Sequence, residues 1–260
     1  MRIVFFGDVV GKPGRRGVAR CLQALRAAGE VDFVVANCEN SAGGVGVDPG
    51  SARELLAAGV DVLTSGNHVW AKREIIEYMN DSDVLLRPAN FAPTTPGWGY
   101  TVKVNRRGTP VAVVNLIGRV FMNSYDCPFR AVDTALESIA QKAAVIFVDM
   151  HAEATSEKVA MGWHLDGRVS AIIGSHTHVQ TADERILPGG TAYLTDAGMC
   201  GPRDSVLGVK REQVLRRFLT QMPGRFAVAD GPVLVQGAVI DVDEMTGRAN
   251  AIERFQQVIE

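Results

Sequence analysis

The chain has 260 residues, 47% of them hydrophobic and 22% charged, with a formal net charge of −2 and a pI of about 6.2. This is the composition of an ordinary globular protein. It argues against recognition dominated by a basic nucleic-acid groove, and no apolar run approaches the ~20 residues of a membrane span. The four cysteines, Cys21, Cys38, Cys127 and Cys200, show no CxxC spacing and fit reduced thiols better than a disulfide framework. Residues 2–6 are too short an apolar run for a signal peptide. The expectation is one domain over residues 1–260, in the cytoplasm, with a dimer or tetramer of identical chains as the default assembly.

Residues 2–6 predict a short apolar strand. It runs into Gly7-Asp8, where Asp8 is either an exposed ligand at a strand end or a turn and cap residue. Val18, Leu22 and Leu25 have helical spacing, so a helix is predicted over 15–28, stopped by Gly29. A second strand over 31–36 leads into Asn37-Cys38-Glu39-Asn40 and a Gly-rich stretch. That stretch lacks the GxxxxGK[ST] pattern of a P-loop. Asp48 as N-cap and Pro49 at the first position predict a helix over 49–58. Residues 60–63 predict a third strand, followed by Gly66-Asn67-His68. Residues 72–79 read as a helix. The segment 81–99, with Pro88, Pro93 and Pro96, reads as irregular surface chain forming a lid or an interface.

Strands are expected at 99–104 and 110–117 around a turn, then a loop over 122–129 and a helix over 131–140. Residues 144–148 form a strongly apolar strand that ends in Asp149-Met150-His151. A helix over 156–165 carries His164 on its surface. The strand 169–174 ends at Gly174-Ser175-His176-Thr177-His178. Short strands at 185–187 and 192–194, Gly-rich turn text at 196–201 and a helix over 209–222 follow. Residues 233–242 and 251–258 close the chain as a hairpin. Alternating strands and helices followed by β-rich text predict an α/β sandwich with mixed sheets.

Only five histidines occur, and four of them, His68, His151, His176 and His178, follow predicted strands. A lone histidine is most often structural, but four strand-end histidines point to a metal or catalytic cluster, because ligands bind at that edge of open α/β sheets. With Asp8, Glu39, Asn40 and Asn67 they give carboxylate, amide and imidazole donors. Such a set can hold two metal ions ~3.5–4 Å apart, and mixed nitrogen and oxygen ligation suits Mn, Fe or Zn. Two other readings stand beside this one: a structural metal site, and a metal-binding regulatory or scaffold protein with little turnover. A structural zinc site is usually closed by four ligands, often with Cys, and no HExxH motif supports a peptidase. Cys38, beside Glu39, is read as chemically inert.

The motifs Gly7-Asp8, Glu39-Asn40, Gly66-Asn67-His68, His151 and His176-Thr177-His178 resemble, in order, the blocks of the calcineurin-like metallophosphoesterases. Three departures mark this chain. Val10 stands where the first motif carries a histidine, Glu39 where the family usually has a bridging Asp, and Val69 where Asn-His is followed by an acid. With Cys38-Glu39-Asn40 and the run His151 to Lys158, this altered set looks like the YmdB-type subfamily. The resemblance implies a four-layer α/β/β/α sandwich of two mixed β-sheets flanked by helices. It also implies a phosphodiesterase acting on 2′,3′-cyclic nucleotides, with RNA-derived ligands as further partners. By the same resemblance, Asp8, Glu39, Asn40 and His178 hold one metal; Glu39, Asn67, His151 and His176 hold the second. The metals would be two divalent or mixed-valence ions, Fe or Mn ahead of Zn. A metal-bridging hydroxide would attack phosphorus in line, and His68 would be the general acid. Lys12 or Arg15 is placed near the phosphate by its nearness to Asp8 in sequence.

Overall fold

The computed structural model describes residues 1–29 and 31–260. In chain order its elements are β1 Arg2–Phe6, β2 Asp8–Val9, α1 Gly11–Ala27, β3 Phe33–Asn37, α2 Pro49–Ala57, β4 Val62–Thr64, α3 Ile75–Asp81, β5 Tyr100–Val104, β6 Pro110–Ile117, α4 Pro128–Ile139, β7 Val145–His151, α5 Thr155–Leu165, β8 Ala171–Ser175, β9 Arg185–Ile186, β10 Ala192–Leu194, β11 Met199–Pro202, α6 Arg211–Thr220, β12 Val233–Val242 and β13 Ala249–Ile259. A 3₁₀ turn, Val69–Ala71, precedes α3.

Two mixed sheets face each other. One runs β2-β11-β12-β1-β3-β4, with β13 paired antiparallel to β12. The other runs β5-β6-β7-β8-β10-β9, parallel through β6, β7, β8 and β10. Side chains alternate between the faces of a strand, and the core divides accordingly. Phe5, Phe33, Val35 and Val62 from the first sheet meet Val113, Phe147, Ile173 and Leu194 from the second. The other face of the first sheet packs on α1, α2 and α3 through Val18, Leu22, Leu55 and Met79. The other face of the second packs on α4 and α5 through Val132, Ile139, Met161 and Leu165. Each large side chain fully removed from water contributes ~1.5–3 kcal/mol, so strands with both faces covered read as unbroken apolar runs. The four-layer α/β/β/α sandwich expected from the sequence is borne out.

Several boundaries move. α1 begins at Gly11, four residues before the predicted start, because Pro13 is tolerated in a first turn. Gly14 and Gly17 then face the first sheet, where a Cβ would lie 2.1 Å from the Cys200 carbonyl oxygen and 2.7 Å from Val233. The Gly-rich text at 196–201 is no plain turn: Met199–Pro202 is a strand, paired parallel to the two-residue β2. The predicted helix at 72–79 starts later, at Ile75. Segment 81–99 is irregular as expected, with single bridges Leu63 to Leu85 and Leu86 to Trp98. α6 buries Val214 but leaves Leu215, Phe218 and Leu219 exposed. No helix among the described residues is long and apolar enough to cross a membrane.

Where β3 runs beside β4, the Asp61 carboxylate accepts from the Val34 amide at 2.8 Å, and burial pushes its pKa up to about 6. An acid with a raised folded pKa binds a proton in the folded chain that the unfolded chain has released, so stability falls as pH rises from about 4 to about 6. Asp61→Asn keeps an acceptor oxygen and removes that titration. In urea unfolding, the variant should gain stability relative to wild type at pH 7.5 compared with pH 4.5; an equal difference at both values would refute this account.

Candidate metal centre

The inner faces of four parallel strands change from apolar to polar at the same level. β3 presents Phe33, Val35 and then Asn37; β4 presents Val62 and then Thr64. β7 presents Val145, Phe147, then Asp149 and His151, and β8 presents Ala171, Ile173 and then Ser175. All these polar residues are fully buried. Asn37 Nδ2 donates to Asp149 Oδ2 at 3.0 Å, Thr64 Oγ1 donates to the same oxygen, and Ser175 Oγ donates to Asp149 Oδ1 at 2.6 Å. His151 Nδ1 lies 3.0 Å from Ser175 Oγ. Because that hydroxyl has given its hydrogen to Asp149, Nδ1 is the donor, and the ring is fixed with Nε2 directed into the site.

Around His151 Nε2 the donors converge. Asn67 Oδ1 and His176 Nδ1 lie 3.0 Å from it, and Glu39 Oε1 lies 3.3 Å away. The other nitrogen of His176 is 3.1 Å from Glu153 Oε2, which leaves the Nδ1 lone pair facing His151. Glu39, His151 and His176 form a group with the spacing of metal ligands. On the other side, Asp8 Oδ2 accepts from the His176 amide at 2.9 Å, while Asp8 Oδ1 is buried with no hydrogen-bond partner among the described residues. Asp8 Oδ1 lies 3.8 Å from His178 Nε2, whose ring is held by Nδ1 donating to the Leu207 carbonyl at 3.1 Å. Gly66 closes the floor: a Cβ there would sit 2.2 Å from His151 Nε2 and 2.4 Å from Glu39 Oε2.

The charge states carry the same signature. Burial alone would push Glu39 up, but His151 and His68 more than offset it and hold the carboxyl well below its usual range. Burial raises Asp8, and His178 only partly opposes it. Burial alone would lower His151, yet Glu39 and Asp8 overcome it and push it up to about 9. Burial and the neighbouring His151 push His176 down to about 3, so it is a neutral donor. Two imidazoles, a carboxylate and an amide oxygen crowd one point, with an unpartnered carboxylate oxygen beside them. A single shared proton satisfies one such contact, whereas a cation satisfies them all. The donor set therefore fits metal ions, of the borderline kind that accept both nitrogen and oxygen.

The structure brings all eight sequence-derived candidates together. Asn40 is turned: its Nδ2 lies 3.1 Å from His178 Nε2 and its Oδ1 2.9 Å from His68 Nδ1. Exchanging the amide oxygen and nitrogen requires only a turn about the terminal bond. His68 Nδ1 is 3.3 Å from Glu39 Oε1, and its side chain is 39% exposed. The hydrogen bond it donates to the Glu39 carboxylate raises its pKa above the usual value. Arg15 is not a phosphate contact: its guanidinium is committed to Glu54 at 2.7 Å and to the Ser41 carbonyl. Lys12 is exposed and lines a cavity along α1 that contains none of the ligand candidates. Cys38 is fully buried, and burial pushes its thiol pKa up, away from reactivity. His164 pairs with Asp133 at 3.0 Å on α5, away from the site.

Two supports escaped the sequence. Asp149 sits two residues before His151 on the same strand face, a period-two signal that could have found it. The second support is an ion pair, Lys158 to Asp196 at 2.6 Å, with both side chains 1% exposed. Asp196 also accepts from the Thr177 amide and hydroxyl, at 3.2 and 2.9 Å. It thereby fixes the loop in which His176 and His178 take φ of 102° and 64°. Positive φ in non-glycine residues is strained and persists only when surrounding contacts hold it.

Comparison with known proteins decides the family. A family model described as YmdB-like protein matches residues 4–255. The chain belongs to the YmdB-like family. It is 49% identical over 256 residues to a 2′,3′-cyclic-nucleotide 2′-phosphodiesterase of Bacillus subtilis (strain 168), covering 98% of this chain and 96% of that one. It is 36% identical to a putative phosphatase/phosphodiesterase of Mycoplasma pneumoniae, over 99% and 93% of the two chains. A crystal structure of a hypothetical protein from Thermus thermophilus superimposes with a TM-score of 0.93 at 42% identity, over 99% of each chain. A novel phosphatase of Mycoplasma pneumoniae superimposes with a TM-score of 0.92 at 33% identity, over 99% of this chain and 93% of that one. The expected phosphodiesterase class agrees with these relatives, and the YmdB-like chain is such an enzyme.

Removing one partner of a buried ion pair leaves an uncompensated charge, at a cost of ~3–5 kcal/mol. Lys158→Met should therefore lower unfolding stability by about that amount in chemical denaturation. Lys158→Met combined with Asp196→Asn should recover part of the loss; additive losses would show that the two residues do not act as a pair.

Proposed function

We propose that this YmdB-like phosphodiesterase hydrolyses 2′,3′-cyclic nucleotides at a two-metal centre held by Asp8, Glu39, Asn40, Asn67, His151, His176 and His178, working as one domain. The carrying observation is the convergence of His176 Nδ1, Asn67 Oδ1 and Glu39 Oε1 on His151 Nε2, beside the unpartnered Asp8 Oδ1. When bound, two such ions supply a water of lowered pKa and offset negative charge on the phosphoryl oxygens. Fe or Mn suits the mixed donor set, with Zn as the third candidate.

The chain's own residues supply the rest. His68 is tied down by its amide, which donates to Glu39 Oε2 at 3.0 Å, and by Nδ1 against Asn40 and Glu39. Its other nitrogen, Nε2, is left to carry a proton to the departing oxygen. With the specificity in the name of the Bacillus relative, the bond from phosphorus to the ribose 2′ oxygen breaks. A P–O bond forms to the oxygen of a water that releases one proton to solvent, the 2′ oxygen takes the proton from His68, solvent returns a proton to His68, and a nucleoside 3′-phosphate results. Asp149 and Ser175 hold His151 in one tautomer, and Asp196 holds the loop of His176 and His178, so the donors are placed before substrate arrives. The unbridged cysteines fit a cytoplasmic site of action. The expected homo-oligomer belongs to the same reading, with the exposed apolar face of α6 as its candidate surface.

Turnover of 2′,3′-cyclic AMP by protein of measured metal content tests the reading. General acid catalysis contributes ~10²–10⁴-fold, so His68→Ala should lower kcat by about that factor with bound metal unchanged. If wild-type protein loaded with Mn or Fe fails to cleave the ester, the metal-binding scaffold reading takes its place. Gly66→Ala puts a methyl group where His151 and Glu39 meet. It should cut bound metal, measured by elemental analysis, to below half the wild-type content; full occupancy would remove these residues from the ligand set.

A further inference from the structure

Beyond Asn67 the candidate centre opens into a second space. A cavity of about 400 Å³ is lined by Asn67, Trp70, Phe91, Thr95, Asn123 and Tyr125, among others. That volume lies in the ~300–1,000 Å³ range of small-ligand pockets. Asn67 belongs to both spaces, since its Oδ1 lies 3.0 Å from His151 Nε2 while the residue also walls the cavity. A molecule with its phosphate at the ligand cluster therefore has this cavity next to it.

Three aromatic rings from three chain segments form the walls. Trp70 stands in the 3₁₀ turn that follows Asn67 and His68, Phe91 comes from the irregular segment 81–99, and Tyr125 from the loop before α4. The Phe91 and Tyr125 rings stack at 5.1 Å with 22° between planes, and Trp70 lies 6.3 Å from Phe91. Phe91 is buried in the outer core of the first sheet, and Trp70 and Tyr125 pack against that core while partly exposed. The rings are thus fixed by packing, and two of them keep surface available. Asn90, which also lines the cavity, is committed to the backbone of Ile117 and Asp126 through both ends of its amide.

The chemistry of the lining selects the occupant. Among the described residues no Lys or Arg lines the cavity, so it offers a second phosphate no countercharge. The rim carries Thr95, Asn123, Ser124, the Tyr125 hydroxyl and the exposed Asp126, which a purely aliphatic ligand would leave without partners. The Asp126 carboxylate would also repel a second phosphate. Flat aromatic walls with a hydrogen-bonding rim whose one charged group is the Asp126 carboxylate suit a nucleobase, which has a π face to stack and polar edges, amino donors among them, to satisfy. We propose that this cavity binds the base of the nucleotide whose cyclic phosphate occupies the ligand cluster, with Trp70 and Tyr125 as the stacking surfaces. The inference rests on the cyclic-nucleotide reading above, and it gives segment 81–99 a role in substrate recognition.

The test compares two substrates with the same five-membered phosphodiester: 2′,3′-cyclic AMP, and 1-O-methylribose 2,3-cyclic phosphate, which has no base. Stacking of a base on an aromatic side chain corresponds to about a tenfold effect or more. Trp70→Leu should raise KM for 2′,3′-cyclic AMP about tenfold with kcat within about twofold, and should leave kcat/KM for the base-free ester unchanged. Equal losses on both substrates, or no loss on either, would overturn the assignment. If Trp70→Leu does not fold, judged by circular dichroism and Tm, Tyr125→Leu carries the same comparison. If wild-type protein cleaves neither ester, the cyclic-nucleotide reading fails on its own, and adenosine titrated in a calorimeter then tests the cavity directly. Binding of adenosine that weakens in Trp70→Leu supports a base site, and no binding by wild type overturns it.

Discussion

A single buried carboxylate joins the two halves of this molecule at the level where the chemistry begins. Asp149 belongs to the second sheet, yet it accepts hydrogen bonds from Asn37 and Thr64 of the first sheet and from Ser175 of its own. Below it the space between the sheets is hydrocarbon, closed by residues such as Phe5, Phe147 and Ile173. Above it stand the histidines. A buried acid costs free energy unless hydrogen-bonded, and burial does push Asp149 up to about 6. The three donors offset that cost, and in doing so they fix the separation and register of the strand ends. Losing Asp149 would leave those donors buried without an acceptor, at ~1–3 kcal/mol for each unmade bond.

The same arrangement determines what the site can do. Ser175 passes the orienting effect of Asp149 to His151, so the ring nitrogen that faces the cluster is set by the sheet beneath it. The strained His176 and His178 backbone depends on a different anchor, the Lys158–Asp196 pair behind the loop. Rigid strands thus supply Asn37, Asp149 and Ser175, and loops supply donors whose unusual conformation those anchors maintain. This division allows a small shift in a supporting residue to misplace a donor without unfolding the chain, which is how active sites become sensitive to residues that never touch substrate.

Much of the architecture is legible in the residues because the strands are short and apolar and the stops between them are explicit. Asp48 and Pro49 start α2 as expected, through a capping box with Ser51. The errors have definite causes. The start of α1 is set by tight packing of Gly14 and Gly17 on the sheet, and glycine in a helix carries no local signal for helix formation. β2 is a strand only because it finds β11, and β11 because it lies between β2 and β12; neither is long enough to show a clear period of two. Arg15 sits near Asp8 in sequence but turns to Glu54 and Ser41, since helix geometry sends its side chain across to α2.

The sequence by itself determined the kinds of donor and their order along the chain, because a strand end followed by Asp, Asn or His is a local pattern. It also carried the alternation of apolar strands and amphipathic helices that selects a layered α/β fold. Only the tertiary structure decided which donors share a point in space, which nitrogen of each histidine faces that point, and which buried groups hold them there. It alone brought Trp70, Phe91 and Tyr125 to one cavity beside Asn67. The physical reason is that these relations arise between segments many residues apart. Hydrogen-bond partners such as Asn37 and Asp149, 112 positions apart, are chosen by the packing of two sheets, and no local pattern records that choice.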